Sequence, residues 1–103
     1  MSTISPEQFR AGAESADWAV VGDEAVATFK TGDFATGARF FAAVAIVAES
    51  ANHHPDVEVR YSSVTVHLTT HSEGGLTDAD AGVARRISDV AQALGIHAAT
   101  PAR

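Results

Sequence analysis

The stretch from Phe34 to Ala51 limits what this chain can fold into more than any other segment. It is rich in alanine and free of proline. Gly32-Asp33 precede it, a break followed by a capping carboxylate, so propensity and boundary together predict one long helix over 34–51. From Phe40 to Ala48 its apolar positions run nearly all the way round, which leaves no face suited to water. That run falls well short of the roughly 20 residues a helix needs to cross a bilayer. The helix must therefore be covered by protein, with a sheet on one side and a second subunit on the other.

The segments around it read as short strands and two further helices. Ser5-Pro6-Glu7 supplies a capping oxygen, a proline suited to the first turn and an acid that complements the dipole, predicting a helix over about 5–15. Trp18–Val21 and Ala25–Thr31 are β-prone runs around Gly22-Asp23, a hairpin pattern. Val57, Val59 and Tyr61 alternate with Glu58 and Arg60. A turn at Ser62-Ser63 then leads to Val64, Val66 and Leu68 on one face, with Thr65, His67, Thr69 and, if the strand extends, His71 on the other. Thr77 with Asp80 three residues later resembles a capping box, and helical spacing continues from Ala81 to Leu94 before Gly95.

The resulting order is α-β-β-α-β-β-α. Two hairpins with helices before, between and after them predict an α+β fold, a four-stranded antiparallel sheet with its helices packed on one face, forming a single domain over 1–103.

Bulk properties narrow the partners. A net charge of −6 from 13 acidic and 7 basic residues repels phosphate backbones, so direct nucleic-acid binding is not expected. With 46% hydrophobic and 19% charged residues the chain reads as an ordinary globule, not a membrane protein or a disordered segment. The absence of cysteine excludes disulfides, thiolate nucleophiles and Cys-type zinc sites, and suits a cytoplasmic location. The segment Met1–Glu7 lacks the basic and apolar regions of a secretory leader, so no export is expected. One domain of this size gains from burying further surface in an oligomer.

The densest polar feature is Glu49-Ser50-Ala51-Asn52-His53-His54-Pro55-Asp56, at the joint between the long helix and the third strand. Pro55 biases His54 away from helical geometry, so the two histidine side chains diverge. His71 comes from the far end of the second hairpin, which an antiparallel pair returns to the neighbourhood of His54 and Pro55. Three imidazoles near one another suit proton transfer around neutral pH. Taken singly each polar residue also has a plain structural use: a hydrogen-bonded helix end for the pair, a cap for Asp80, a last helical turn for Glu49. A metal site using three histidines with Glu49 or Asp80 is disfavoured, since side-by-side histidines are not the i, i+4 pair a helix presents to a metal. His67 is expected on the open side of the sheet and His97 in a solvated tail.

The succession Glu49-x-x-x-His53-His54-Pro55, Tyr61 after five residues, His71 after nine more, then Gly74-Gly75-Leu76-Thr77-x-x-Asp80 resembles the pterin-4a-carbinolamine dehydratase family without a gap. Trp18, Phe34 and the alanine-rich 40–48 segment extend the resemblance over nearly the whole chain. Val57 departs from it, because many members carry an aromatic residue there beside the substrate.

What the resemblance implies is the dehydration of 4a-hydroxytetrahydropterin to quinonoid dihydropterin without metal or organic cofactor. His53 and His71 match the family's acid/base histidines, and His54 a histidine that holds substrate. Glu49 and Asp80 match orienting carboxylates, while Pro55, Thr70, Ser72 and Glu73 fall in its pterin-contacting segments. The resemblance also implies a homodimer or homotetramer assembled through helix 34–51, and leaves open whether a biopterin or another pterin is the substrate. The alternative from a different class is a non-catalytic pterin-binding or protein-dimerisation module, since animal relatives also serve as dimerisation cofactors of a homeodomain transcription factor. On that reading a polar substitution at Phe41 or Val44 would release the partner.

Overall fold

The computed structural model describes residues 2–99. Its elements are α1 (Pro6–Ala13), β1 (Ala19–Val21), β2 (Glu24–Lys30), α2 (Phe34–Ala51), β3 (Asp56–Val59), β4 (Ser63–Leu68), a single 3-10 turn (His71–Glu73), α3 (Asp78–Ala93) and β5 (His97–Ala98). All strand pairings are antiparallel, in the order β1-β2-β4-β3. This is the expected α+β architecture with one addition. β5 pairs Phe29 with Ala98 and Lys30 with His97, sharing with β1 the edge of β2 that β4 leaves free, so the supposed tail is part of the sheet.

Alternation along the two central strands decides which face is covered. Ala25, Ala27 and Phe29 of β2 and Val64, Val66 and Leu68 of β4 are buried beneath the helices. Trp18, Phe29 and Phe40 form an aromatic series at centroid separations of 6.0 and 4.9 Å, and the Trp18 indole N–H donates to Ser88 Oγ of α3 at 2.9 Å. Gly12 lets α1 approach α3 closely, since a Cβ there would lie 2.9 Å from the Ala81 methyl.

The long helix is as long as its composition predicted. Asp33 caps it by accepting from the Thr36 amide at 2.7 Å, and that hydrogen bond lowers the Asp33 carboxyl below its ordinary value. With 18 residues at a mean hydropathy of 1.3, α2 is apolar enough to span a bilayer by composition, yet Gly37, Phe40, Val44, Val47 and Ala48 are packed into the domain core. Phe34, Phe41 and Ile46 remain exposed. Val44, grouped with Phe41 in the sequence-based view of the outer face, is 1% exposed and belongs to the core instead. Uniform apolarity hides which side of a helix faces in.

Two strand ends differ from expectation. β3 stops at Val59, because the register Val59↔Val64 gives residues 60–62 to a turn closed by the Arg60 amide donating to the Ser63 carbonyl. Tyr61 therefore stands in water at 74% exposure, not on the core face. β4 stops at Leu68, so His71 is not on a strand: it opens the 3-10 turn, whose ends are closed by the Thr70↔Gly75 bridge and by Gly74 at φ 71°.

Candidate active site

The site is assembled where three chain breaks meet: the end of α2, the turn after β4 and the start of α3. α2 ends in a Schellman arrangement. Asn52 takes the left-handed conformation at φ 49°, its amide donates to the Glu49 carbonyl at 3.2 Å, and the His53 amide donates to the Ala48 carbonyl at 3.1 Å. Asparagine tolerates that conformation better than other side-chain-bearing residues, which explains its place before the histidines. The chain then runs extended through Pro55 into β3.

Consecutive histidines leave this joint in different directions. Nε2 of His53 meets Oδ1 of Asp80, at the N-terminus of α3, at 2.6 Å, with the imidazole largely covered and Asp80 fully buried. His54 turns back to α2, where its Nε2 pairs with Glu49 Oε2 near the surface.

Asp80 is the centre of the buried half. Besides His53, it accepts at Oδ2 from the Thr77 amide at 2.8 Å and from the Thr70 hydroxyl at 2.7 Å. The Thr70 and Thr77 hydroxyls lie 2.9 Å apart. A buried carboxylate is costly unless its oxygens are occupied, and here donors from three elements occupy them. Asp80 thus also completes the capping box of α3.

His71 follows Thr70 directly, and the register Asp56↔His67 carries the chain preceding β3 past the end of β4. Thr70 therefore links the turn bearing His71 to the carboxylate that holds His53. The Thr70 amide and carbonyl are both used inside its own turn, by Gly75 and by Glu73 and Gly75 respectively. His71, Ser72 and Glu73 are exposed.

Glu49, His54, Pro55 and Val57 line one end of a cavity of about 140 Å³ whose other walls are Phe41, Val44, Ala45 and Ala48. His53 and His71 are not among its lining residues. A larger cleft of about 310 Å³, between the C-terminal ends of α1 and α3 and β5, contains none of the three histidines. Glu49 and Asp80 are engaged by different histidines.

Two contributors escaped sequence reading. Asn52 could have been found as an asparagine closing an apolar helix three residues before a proline; Thr77 was read as a cap and as part of the family-like run ending at Asp80, and nothing local reveals its hydroxyl contact with Thr70.

A second polar cluster lies on the helix-free face. His67 presents Nδ1 to Glu24 Oε1 at 2.7 Å and Nε2 to Glu58 Oε1 at 2.9 Å, tying β2, β4 and β3 together. The hydrogen bond to Glu24, followed by that to Glu58, raises His67 above the usual histidine value, and the His67 contact in turn lowers Glu58. His67 is on the open side as expected, but it is held between carboxylates.

Comparison with known proteins places this geometry in context. Residues 2–90 match the family model described as Pterin 4 alpha carbinolamine dehydratase. A relative from Chloroflexus aurantiacus is 41% identical over 78 residues, 76% of this chain and 84% of its own. One from Metallosphaera sedula is 45% identical over 74 residues, 72% of this chain and 77% of its own. Both carry provisional names as pterin-4-alpha-carbinolamine dehydratases. The crystal structure of a transcriptional coactivator/pterin dehydratase from Brucella melitensis is similar at a TM-score of 0.78 and 31% identity, covering 87% of this chain and 99% of that one.

Proposed function

Because the chain belongs to the pterin-4-alpha-carbinolamine dehydratase family, we propose that it is a hydro-lyase acting on 4a-hydroxytetrahydropterin, with His53 and His71 as its acid and base. The elimination breaks the C4a–O bond. One group protonates the departing oxygen so that it leaves as water, another takes the N5 proton, and the N5–H electron pair becomes the C4a=N5 double bond of the quinonoid product.

The observation that carries this reading is the buried His53–Asp80–Thr70 chain, which holds one imidazole beside the turn that bears another. A carboxylate behind a histidine fixes its orientation and supports the charge it acquires, as in hydrolase triads. His54 holds substrate from the other side, anchored by Glu49 at the mouth of the cavity that Pro55 and Val57 share. Val57 leaves room there that a larger side chain would fill. Ser72 and Glu73, exposed on the same turn as His71, are the remaining pterin contacts.

The test is a turnover assay: purified protein should speed the loss of the ultraviolet signal of the 4a-hydroxy adduct, and a rate no better than buffer would refute the assignment. Folate- and molybdopterin-related pterins compared by calorimetry would identify the preferred ring substituents.

A second reading, a protein-association module, is favoured by one observation: Phe34, Phe41 and Ile46 stand exposed on α2. Association of two or four copies through 34–51 covers them and is compatible with catalysis; a heteromeric partner captured through the same face would favour the module.

A further inference from the structure

The donors around Asp80 can be counted. The Thr77 amide can only donate, and Thr70 directs its single hydroxyl proton to Oδ2. With that proton committed, the 2.9 Å contact between the two hydroxyls must use the proton of Thr77, whose oxygen accepts from the Ala79 amide. The hydrogen bonds thus run one way, from the Ala79 amide through Thr77 and Thr70 to Asp80, whose carboxylate form can only accept. The 2.6 Å contact at Oδ1 is then made by a proton on Nε2 of His53. Among the described residues Nδ1 has no hydrogen-bond partner.

The geometry points to Nδ1 of His53 as the atom that exchanges the proton with substrate, with Thr70 and Thr77 as positioning residues that act through Asp80. The reacting atom rests on the dehydratase reading; the location of the resting proton does not. Thr70 consequently serves orientation and not pterin binding, because its hydroxyl, amide and carbonyl are all engaged within the protein. This deepens the proposed role of His53 by choosing between two nitrogens that face opposite sides of the ring.

Protein labelled with 15N-histidine decides the matter. His53 signals are identified by their loss in His53→Gln, and ring two-bond correlations are recorded on the alkaline plateau where shifts no longer change. The expected result is a proton on Nε2, downfield and slow to exchange, with Nδ1 bare. Thr70→Val should move that proton upfield and hasten its exchange, and lower kcat about five- to tenfold with KM within twofold, the scale of one lost hydrogen bond. Thr70→Ser should restore both. If Thr70→Val does not fold, Thr70→Ala carries the same comparison. A proton found on Nδ1, an Nε2 signal indifferent to loss of the Thr70 hydroxyl, or a raised KM at unchanged kcat would each overturn the assignment. Failure of every variant and of the wild type to turn over the 4a-hydroxy adduct would remove the dehydratase reading, while the resonance measurement would still locate the proton.

Discussion

Nε2 of His53 lies 2.6 Å from Oδ1 of Asp80, across 27 residues of chain that include the whole second hairpin. Replacing Asp80 by asparagine keeps one acceptor for Thr77 and Thr70 but turns an N–H₂ towards His53, which forces the opposite tautomer. In a hydrolase triad the corresponding change costs about 10⁴ in kcat. Asp80→Asn is expected to lower kcat by at least about 10²-fold with an unchanged circular dichroism spectrum. His53→Ala and His71→Ala should each lose at least about 10²-fold. Steady-state assays on the three variants check this.

Asn52 makes a prediction about stability alone. At φ 49° a side chain with a Cβ is strained by about 1 kcal/mol or more unless, like asparagine, it suits the left-handed region. Asn52→Ala should lower the melting temperature by about 4–8 °C in a domain of this size, whereas Asn52→Gly should leave it unchanged or slightly raised. Scanning calorimetry on both variants separates backbone strain from any loss of side-chain contact.

His67 governs a pH-dependent contribution. Its ring can donate from both nitrogens to Glu24 and Glu58 only when protonated, in agreement with its raised value. Stabilisation is therefore complete below the ordinary value of 6.5 and disappears as pH rises through the raised value of the folded state. The melting-temperature gap between wild type and His67→Gln should be widest at mildly acidic pH and close towards alkaline pH. Asp56 lies opposite His67 on β3. A gap that widens with pH would contradict this.

On α2, neighbouring apolar positions should give opposite outcomes. Ile46 is 71% exposed and Val44 1%. Ile46→Glu should dissociate the proposed oligomer and leave a folded chain, as read by light scattering and circular dichroism; Val44→Glu should unfold it, since it buries a charge without a partner.

These cases show what the amino-acid pattern could and could not convey. The extent of α2 was legible because Asp33 and Pro55 bound it with local chemistry, and Thr77 with Asp80 announced the start of α3 equally well. The end of β4 was not, because Thr69 and Thr70 continue the alternation without a signal, and only the Thr70↔Gly75 bridge shows where pairing stops. Tyr61 continued the apolar phase of β3 while the register had already handed it to a turn. In the site, His53, His54 and His71 stood out as a candidate cluster from their placement in the chain, and Asp80 joined them only through the family resemblance; which carboxylate serves which histidine depends on contacts between separate elements.

One carboxylate of Asp80 closes the first turn of α3 through Oδ2 and meets His53 through Oδ1. Helix ends open more readily than helix middles, so heat should silence the protein while its sheet is still intact, and activity becomes a local thermometer of one helical turn. On the proposed reading, a substitution at position 80 that removes both oxygens would meet two costs at once, one in the helix start and one in turnover.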